Sequence, residues 1–126
     1  MYDFPTIEEV HDILDSIAEE LPKEIFKELN EGIILLPEYK IHPESRGGNI
    51  LYIMGEYSVS FTGRNIRIYY GSFKRAYGDI SRDRLYEKLR ETLLHEFTHH
   101  LESLAGERDL EIEDAERLDE YRRYGR

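Results

Sequence analysis

His95, Glu96 and His99 stand in the order His-Glu-x-x-His, with Phe97 and Thr98 between. In an α-helix each residue turns about 100° and rises about 1.5 Å, which leaves the two histidines about 40° apart and about 6 Å along the axis. Their ring nitrogens can therefore converge on one ion at about 2.0–2.1 Å. Glu96 falls to one side of the pair, placed to take a proton from a water on that ion rather than to ligate it. Neutral imidazole suits zinc, and zinc draws the pKa of its water towards neutrality, so each residue has its own task. The chemistry this spacing points to is zinc-dependent hydrolysis.

The motif needs a helix under it. Ser81 can cap one, Asp83 falls in its first turn, and neither Gly nor Pro interrupts 82–105. On that helix Leu93, Leu94, Phe97, Leu101 and Leu104 form an apolar arc towards a core. His95, His99, Glu91, Thr92 and Glu102 fall opposite, as an accessible site requires.

Upstream, Thr6 and Glu9 read as a capping box, and Ile7, Val10, Leu14, Ile17, Ala18 and Leu21 recur at helical spacing. Pro22 suits the start of a short helix that buries Ile25, Phe26 and Leu29 and ends at Asn30-Glu31-Gly32. Ile33 to Leu36, closed by Pro37, fits a strand. The stretch 39–49, with Pro43, Gly47 and Gly48, reads as a loop. Ile50 to Met54, Tyr57 to Phe61 and Asn65 to Tyr70 supply two or three further strands. The alternation from Arg64 to Tyr70 gives that last strand one wet face, from which it could edge the cleft. Beyond the motif Gly106 is a natural stop, Asp109 can cap a final helix carrying Ile112, Ala115 and Leu118, and the charged tail from Tyr121 is expected to fray. The pattern is one α+β domain over 1–126, without internal repeats.

Length and charge narrow the functions. A chain of 126 residues, 40% hydrophobic, builds one compact domain with no large substrate lobe. Its net charge of −10 argues against nucleic acid or an anionic membrane as partner. The absence of cysteine excludes disulfides and thiolate zinc sites. Neither a signal-peptide pattern at Met1 to Pro5 nor a run of about 20 apolar residues occurs, so the expected location is cytoplasmic.

The chain resembles the small bacterial zincin-like metallopeptidases called minimal zincins. The likeness spans nearly the whole length. It rests on the segments 21–29, 55–59 and 66–73, the short strand ending at Pro37, and above all 92–100, where His100 doubles the histidine after His-Glu-x-x. The resemblance implies a minimal zincin-like α+β fold: N-terminal helices, a small sheet of three or four strands, an active-site helix and a C-terminal helix. It also implies His95 and His99 as Zn2+ ligands and Glu96 as base. The family's third ligand follows as HExxHxxGxxD or HExxHxxGxxH, and those positions are Glu102 and Ala105 here. Gly106-x-x-Asp109 occurs further on, which makes Asp109 the first candidate and Glu102 the second, with Glu111, Glu113 and Asp114 available if a final helix packs back.

His100 turns away from the metal face and is expected to pack or hydrogen-bond, and His11 and His42 have no sequence partners. Tyr57, Tyr69 and Tyr70 could offer a hydroxyl to a developing oxyanion, although the propensity of Tyr for strands makes sheet packing the better explanation. Arg64, Arg67 and Arg75 could bind a substrate carboxylate or balance neighbouring acids. Three functions follow: a metallopeptidase acting on a peptide or protein, a non-catalytic zinc-binding assembly module with a protein partner, and a metal-free helix–sheet interaction domain.

Overall fold

The computed structural model describes the backbone of residues 3–123 and the side chains of residues 3–107. Helix α1, Ile7–Glu20, begins where expected: the Glu9 N–H donates to Thr6 Oγ1 at 3.2 Å and the Thr6 N–H to Glu9 Oε1 at 3.1 Å. Satisfying two end donors reciprocally fixes the start. Val10, Leu14 and Ile17 then bury one face. A 3₁₀ turn, Lys23–Phe26, follows Pro22 and stops short of Asn30. Glu28 there adopts a left-handed φ of 62°.

Strands β1 (Gly32–Leu36), β2 (Gly55–Ser60) and β3 (Gly63–Tyr69) form a mixed sheet in the order β1-β3-β2, with β1 parallel and β2 antiparallel to β3. The last strand, expected to carry one wet face and to edge the cleft, is the central one and is mostly buried. Ile66, Ile68 and Tyr69 are buried, and so are Arg64, which donates to Ser103 Oγ, and Asn65, whose Nδ2 donates to Glu31 while its Oδ1 has no hydrogen-bond partner among the described residues. Alternation of residue type cannot distinguish a solvated face from one where polar groups are buried in pairs. Ile50 to Met54 is not a strand. It belongs to a lobe over 37–54 held by isolated bridges between Ile41 and Tyr52 and between Arg46 and Asn49.

Tyr70–Tyr77 forms helix α2, which sequence reading missed. Eight residues give too few turns for a helical period to stand out, and the strand-favouring Tyr69-Tyr70 pair straddles their start. Gly71 is required at its start: a Cβ there would lie 2.6 Å from the Glu38 carbonyl carbon and the Tyr39 nitrogen. This close approach lets the Gly71 N–H bond the Glu38 carbonyl at 3.0 Å and Ser72 Oγ accept from the Lys40 N–H at 3.0 Å, rooting the lobe.

Helix α3 runs from Arg82 to Arg123 without the expected stop at Gly106 and without a separate helix capped by Asp109. Glycine inside a helix costs about 1 kcal/mol relative to alanine but does not break it. The side chains after Glu107, including those expected to bury Ile112, Ala115 and Leu118 and the tail from Tyr121, lie outside the described residues. Leu85, Leu89, Leu93 and Phe97 of α3 meet Val10, Leu14 and Ile17 of α1, Ile66 and Ile68 of β3 and Phe73 of α2 in one core. Each fully buried side chain of this size contributes about 1.5–3 kcal/mol. Leu101, assigned to the core arc, is 43% exposed. Among the described residues no helix is long and apolar enough to cross a membrane.

Candidate metal centre

The first turn of α3 is fixed by Ser81, whose Oγ accepts the Arg84 N–H at 3.3 Å. Four turns later the helix presents His95 and His99 to solvent and turns Glu96 inward. The Nε2 atoms of the two histidines face each other at 3.2 Å, with ring planes 86° apart. Two nitrogens about 2.0–2.1 Å from one tetrahedral ion would stand about 3.3–3.4 Å apart. The pair therefore fits a shared zinc almost without movement, and without an ion one ring can donate its Nε2 proton to the other.

Glu96 is 6% exposed. Burial pushes its carboxyl above the ordinary value, Glu56 adds to this, and His95, His99 and the Tyr57 N–H pull the other way. A carboxylate raised in this way is a better proton acceptor than an exposed one. Glu56, on β2, takes hydrogen bonds from Lys40 Nζ at 2.8 Å and from the Tyr69 hydroxyl.

Glu102 reaches His99 from behind. Its Oε2 lies 4.0 Å from Nδ1, the nitrogen turned away from His95, which suits a carboxylate that orients the ring rather than one that binds the ion. Among the described residues no third histidine or carboxylate joins the His95–His99 pair within 4.8 Å. The group that does meet that spacing is His11, Asp12 and Asp15, exposed on α1. The side chains of Asp109, Glu111, Glu113 and Asp114 lie outside the described residues.

His100 is fully buried, as its side of the helix requires. Its Nε2 lies 2.7 Å from the Lys27 carbonyl oxygen and its Nδ1 2.7 Å from the Tyr57 hydroxyl. A carbonyl only accepts, so the ring carries its proton on Nε2 and takes the Tyr57 proton at Nδ1. Arg64 completes the arrangement, donating to Tyr57 at 2.7 Å and to Ser103 at 2.8 Å and pairing with Glu107.

The three tyrosines considered for an oxyanion are engaged elsewhere: Tyr57 with His100, Tyr69 with Glu56, and Tyr70 with the Pro5 carbonyl at 2.6 Å. Arg75 stacks on Tyr39 at 3.9 Å. The open cavity at the histidines, about 750 Å³, is walled by β2 and α3 and also by His42 from the lobe. No sequence signal could have found His42, because nothing in its spacing ties it to a motif more than fifty residues away.

No family model matches the chain, and no curated protein matches it. Among solved structures it is similar to a conserved hypothetical protein from Thermus thermophilus, at 34% identity, over 81% of this chain and 99% of that one, with a TM-score of 0.69. The two chains belong to one family. That relative shares the α+β architecture and carries no assigned activity, so chemistry must be argued from the residues of the site.

Proposed function

We propose that this chain is a zinc-dependent, zincin-like hydrolase of peptide bonds. The observation that carries the reading is the 3.2 Å approach of the His95 and His99 Nε2 atoms beside the buried Glu96 carboxylate. His95 and His99 would hold the ion through Nε2. When bound, zinc supplies Lewis acidity, acidifying water and polarising a carbonyl. Glu96 removes the proton of the attacking water, and its burial keeps the proton available for the departing amine.

A peptide substrate suits the wall of the cleft. The Met54 carbonyl accepts from the Tyr69 N–H at 2.9 Å, so 54, 56 and 58 turn their backbone to β3 while 55, 57 and 59 turn outward. β2 lies at the end of the strand order, and its outward backbone at Gly55 and Val59 borders the cavity. An extended peptide can pair with such an edge.

A second reading has its own support. Among the described residues the histidine pair has no third protein donor nearby, whereas catalytic zinc sites ordinarily have three. That arrangement also suits a zinc-bearing assembly module without turnover. Replacing Glu96 with Gln separates the two. On the hydrolase reading zinc content stays at one equivalent and cleavage of a mixed peptide library disappears; a wild type that binds zinc, cleaves nothing and retains a protein partner supports the module.

A further inference from the structure

Hydrolysis of a peptide needs a hydrogen-bond donor where the carbonyl oxygen becomes negative. Water oxygen bonds to the carbonyl carbon, its proton passes to Glu96, and the carbonyl π electrons move onto oxygen. Collapse of this adduct restores the C=O bond and breaks C–N, and the amine leaves with the proton that Glu96 returns. A donor fixed in place before the reaction is worth roughly a hundred- to a thousandfold in rate.

We propose that His42 is this donor, acting through Nε2–H; the assignment rests on the hydrolase reading above. The lobe brings His42 into the wall of the same cavity as His95, Glu96 and His99. Its tautomer follows from its neighbours. The Glu44 N–H donates to His42 Nδ1 at 3.0 Å, so the neutral ring carries its proton on Nε2. A ring in this state donates and does not ligate: binding a metal through Nε2 would require moving the proton to Nδ1 and breaking the Glu44 hydrogen bond.

The backbone around His42 is held as a preorganised donor requires. Its N–H bonds the Leu51 carbonyl at 2.7 Å and its carbonyl accepts the Ser45 N–H at 3.0 Å. The lobe is anchored through Lys40 on Ser72. The tyrosines are weaker candidates: the hydroxyl protons of Tyr57, Tyr69 and Tyr70 are committed elsewhere. Ser103 also borders the cavity; its Oγ accepts from Arg64 at 2.8 Å and keeps its own proton, so it is the competing donor that the test must separate from His42.

The test measures zinc content and, by calorimetry, the binding of a phosphinic peptide whose tetrahedral P–O⁻ stands where the scissile carbonyl would be. It compares wild type, His42→Ala, His42→Gln and Ser103→Ala. His42→Ala should keep one equivalent of zinc and bind the phosphinate roughly ten- to a hundredfold more weakly. His42→Gln, whose amide N–H falls near the Nε2 position, should recover most of the affinity, and Ser103→Ala should match wild type. Unchanged phosphinate binding in His42→Ala, or a loss confined to Ser103→Ala, overturns the role of His42 and leaves the hydrolase reading intact. Zinc loss in His42→Ala makes the residue a ligand and overturns the donor role. A wild type that binds neither zinc nor phosphinate overturns the hydrolase reading, and this proposal with it.

Discussion

The Tyr57 hydroxyl meets Nδ1 of the fully buried His100 at 2.7 Å, joining strand β2 to helix α3 one residue past the second metal-face histidine. The backbone N–H of the same tyrosine draws the Glu96 carboxyl down against its burial. One residue thus sets the height of the helix against the wall of the cleft and steadies the carboxylate. Replacing Tyr57 with Phe leaves the backbone contact but strands Arg64 and His100 without their shared hydroxyl. A loss of about 1–3 kcal/mol is expected, as for a buried polar group left without a partner, read as a lower urea midpoint at unchanged slope. An unaltered midpoint would mean that the network contributes nothing to stability.

The two adjacent histidines should separate cleanly. His95→Ala and His99→Ala should each abolish zinc binding, measured as metal content after dialysis. His100→Gln should keep its zinc and lose stability, because its ring faces Lys27 and Tyr57 and not the ion. Glu102→Gln should weaken zinc by about tenfold, the low end for a carboxylate behind a ligand ring, because Glu102 is exposed. Zinc loss in His100→Gln at unchanged stability would contradict this division.

Glu56 gives the fold a pH dependence of definite sign. Burial opposes its ionisation, but the hydrogen bonds from Lys40 and Tyr69 outweigh burial and hold the folded carboxyl below its ordinary value. The unfolded chain then binds the proton more readily, so this contribution is complete above the ordinary glutamate value of 4.5 and is lost as pH falls through the depressed one. At pH 7 wild type should exceed Glu56→Gln by about 1 kcal/mol or less, since the ion pair is partly open to water. Denaturation from pH 7 down to pH 3 should show the gap closing; a gap that widens on acidification would reverse the assignment.

Gly71 fixes the root of the lobe that carries His42. A methyl group there would sit 2.6 Å from the backbone of Glu38 and Tyr39, a clash that only main-chain movement can relieve. Gly71→Ala should cost about 1–3 kcal/mol and, by shifting the lobe, weaken phosphinate binding without removing zinc. A substitution that leaves thermal stability unchanged would show that the lobe adjusts freely.

Much of the scaffold was legible along the chain because it depends on neighbours in sequence. The Thr6–Glu9 box and the Ser81 cap are local patterns, and each appears as expected, whereas of the apolar arc Leu93 and Phe97 are buried, Leu94 and Leu104 half-buried and Leu101 exposed. The spacing of His95, Glu96 and His99 likewise fixed their faces on α3, since helical geometry alone determines the angle between them. Strand order was not legible: the alternation in β3 suggests one wet face, yet the strand lies at the centre and is mostly buried, because pairing between strands depends on partners distant in sequence. Nor was the end of α3, where Gly106 lowers helix propensity without terminating the helix.

The sequence by itself determined that His95 and His99 share one face of a helix, with the Glu96 carboxylate beside them. Tertiary structure alone decided that Glu96 is buried against Tyr57, that Tyr57 and Arg64 serve His100, and that His42 comes to the same cavity. Those three relationships join residues from different elements, and a contact made by chain folding leaves no periodicity or spacing to read.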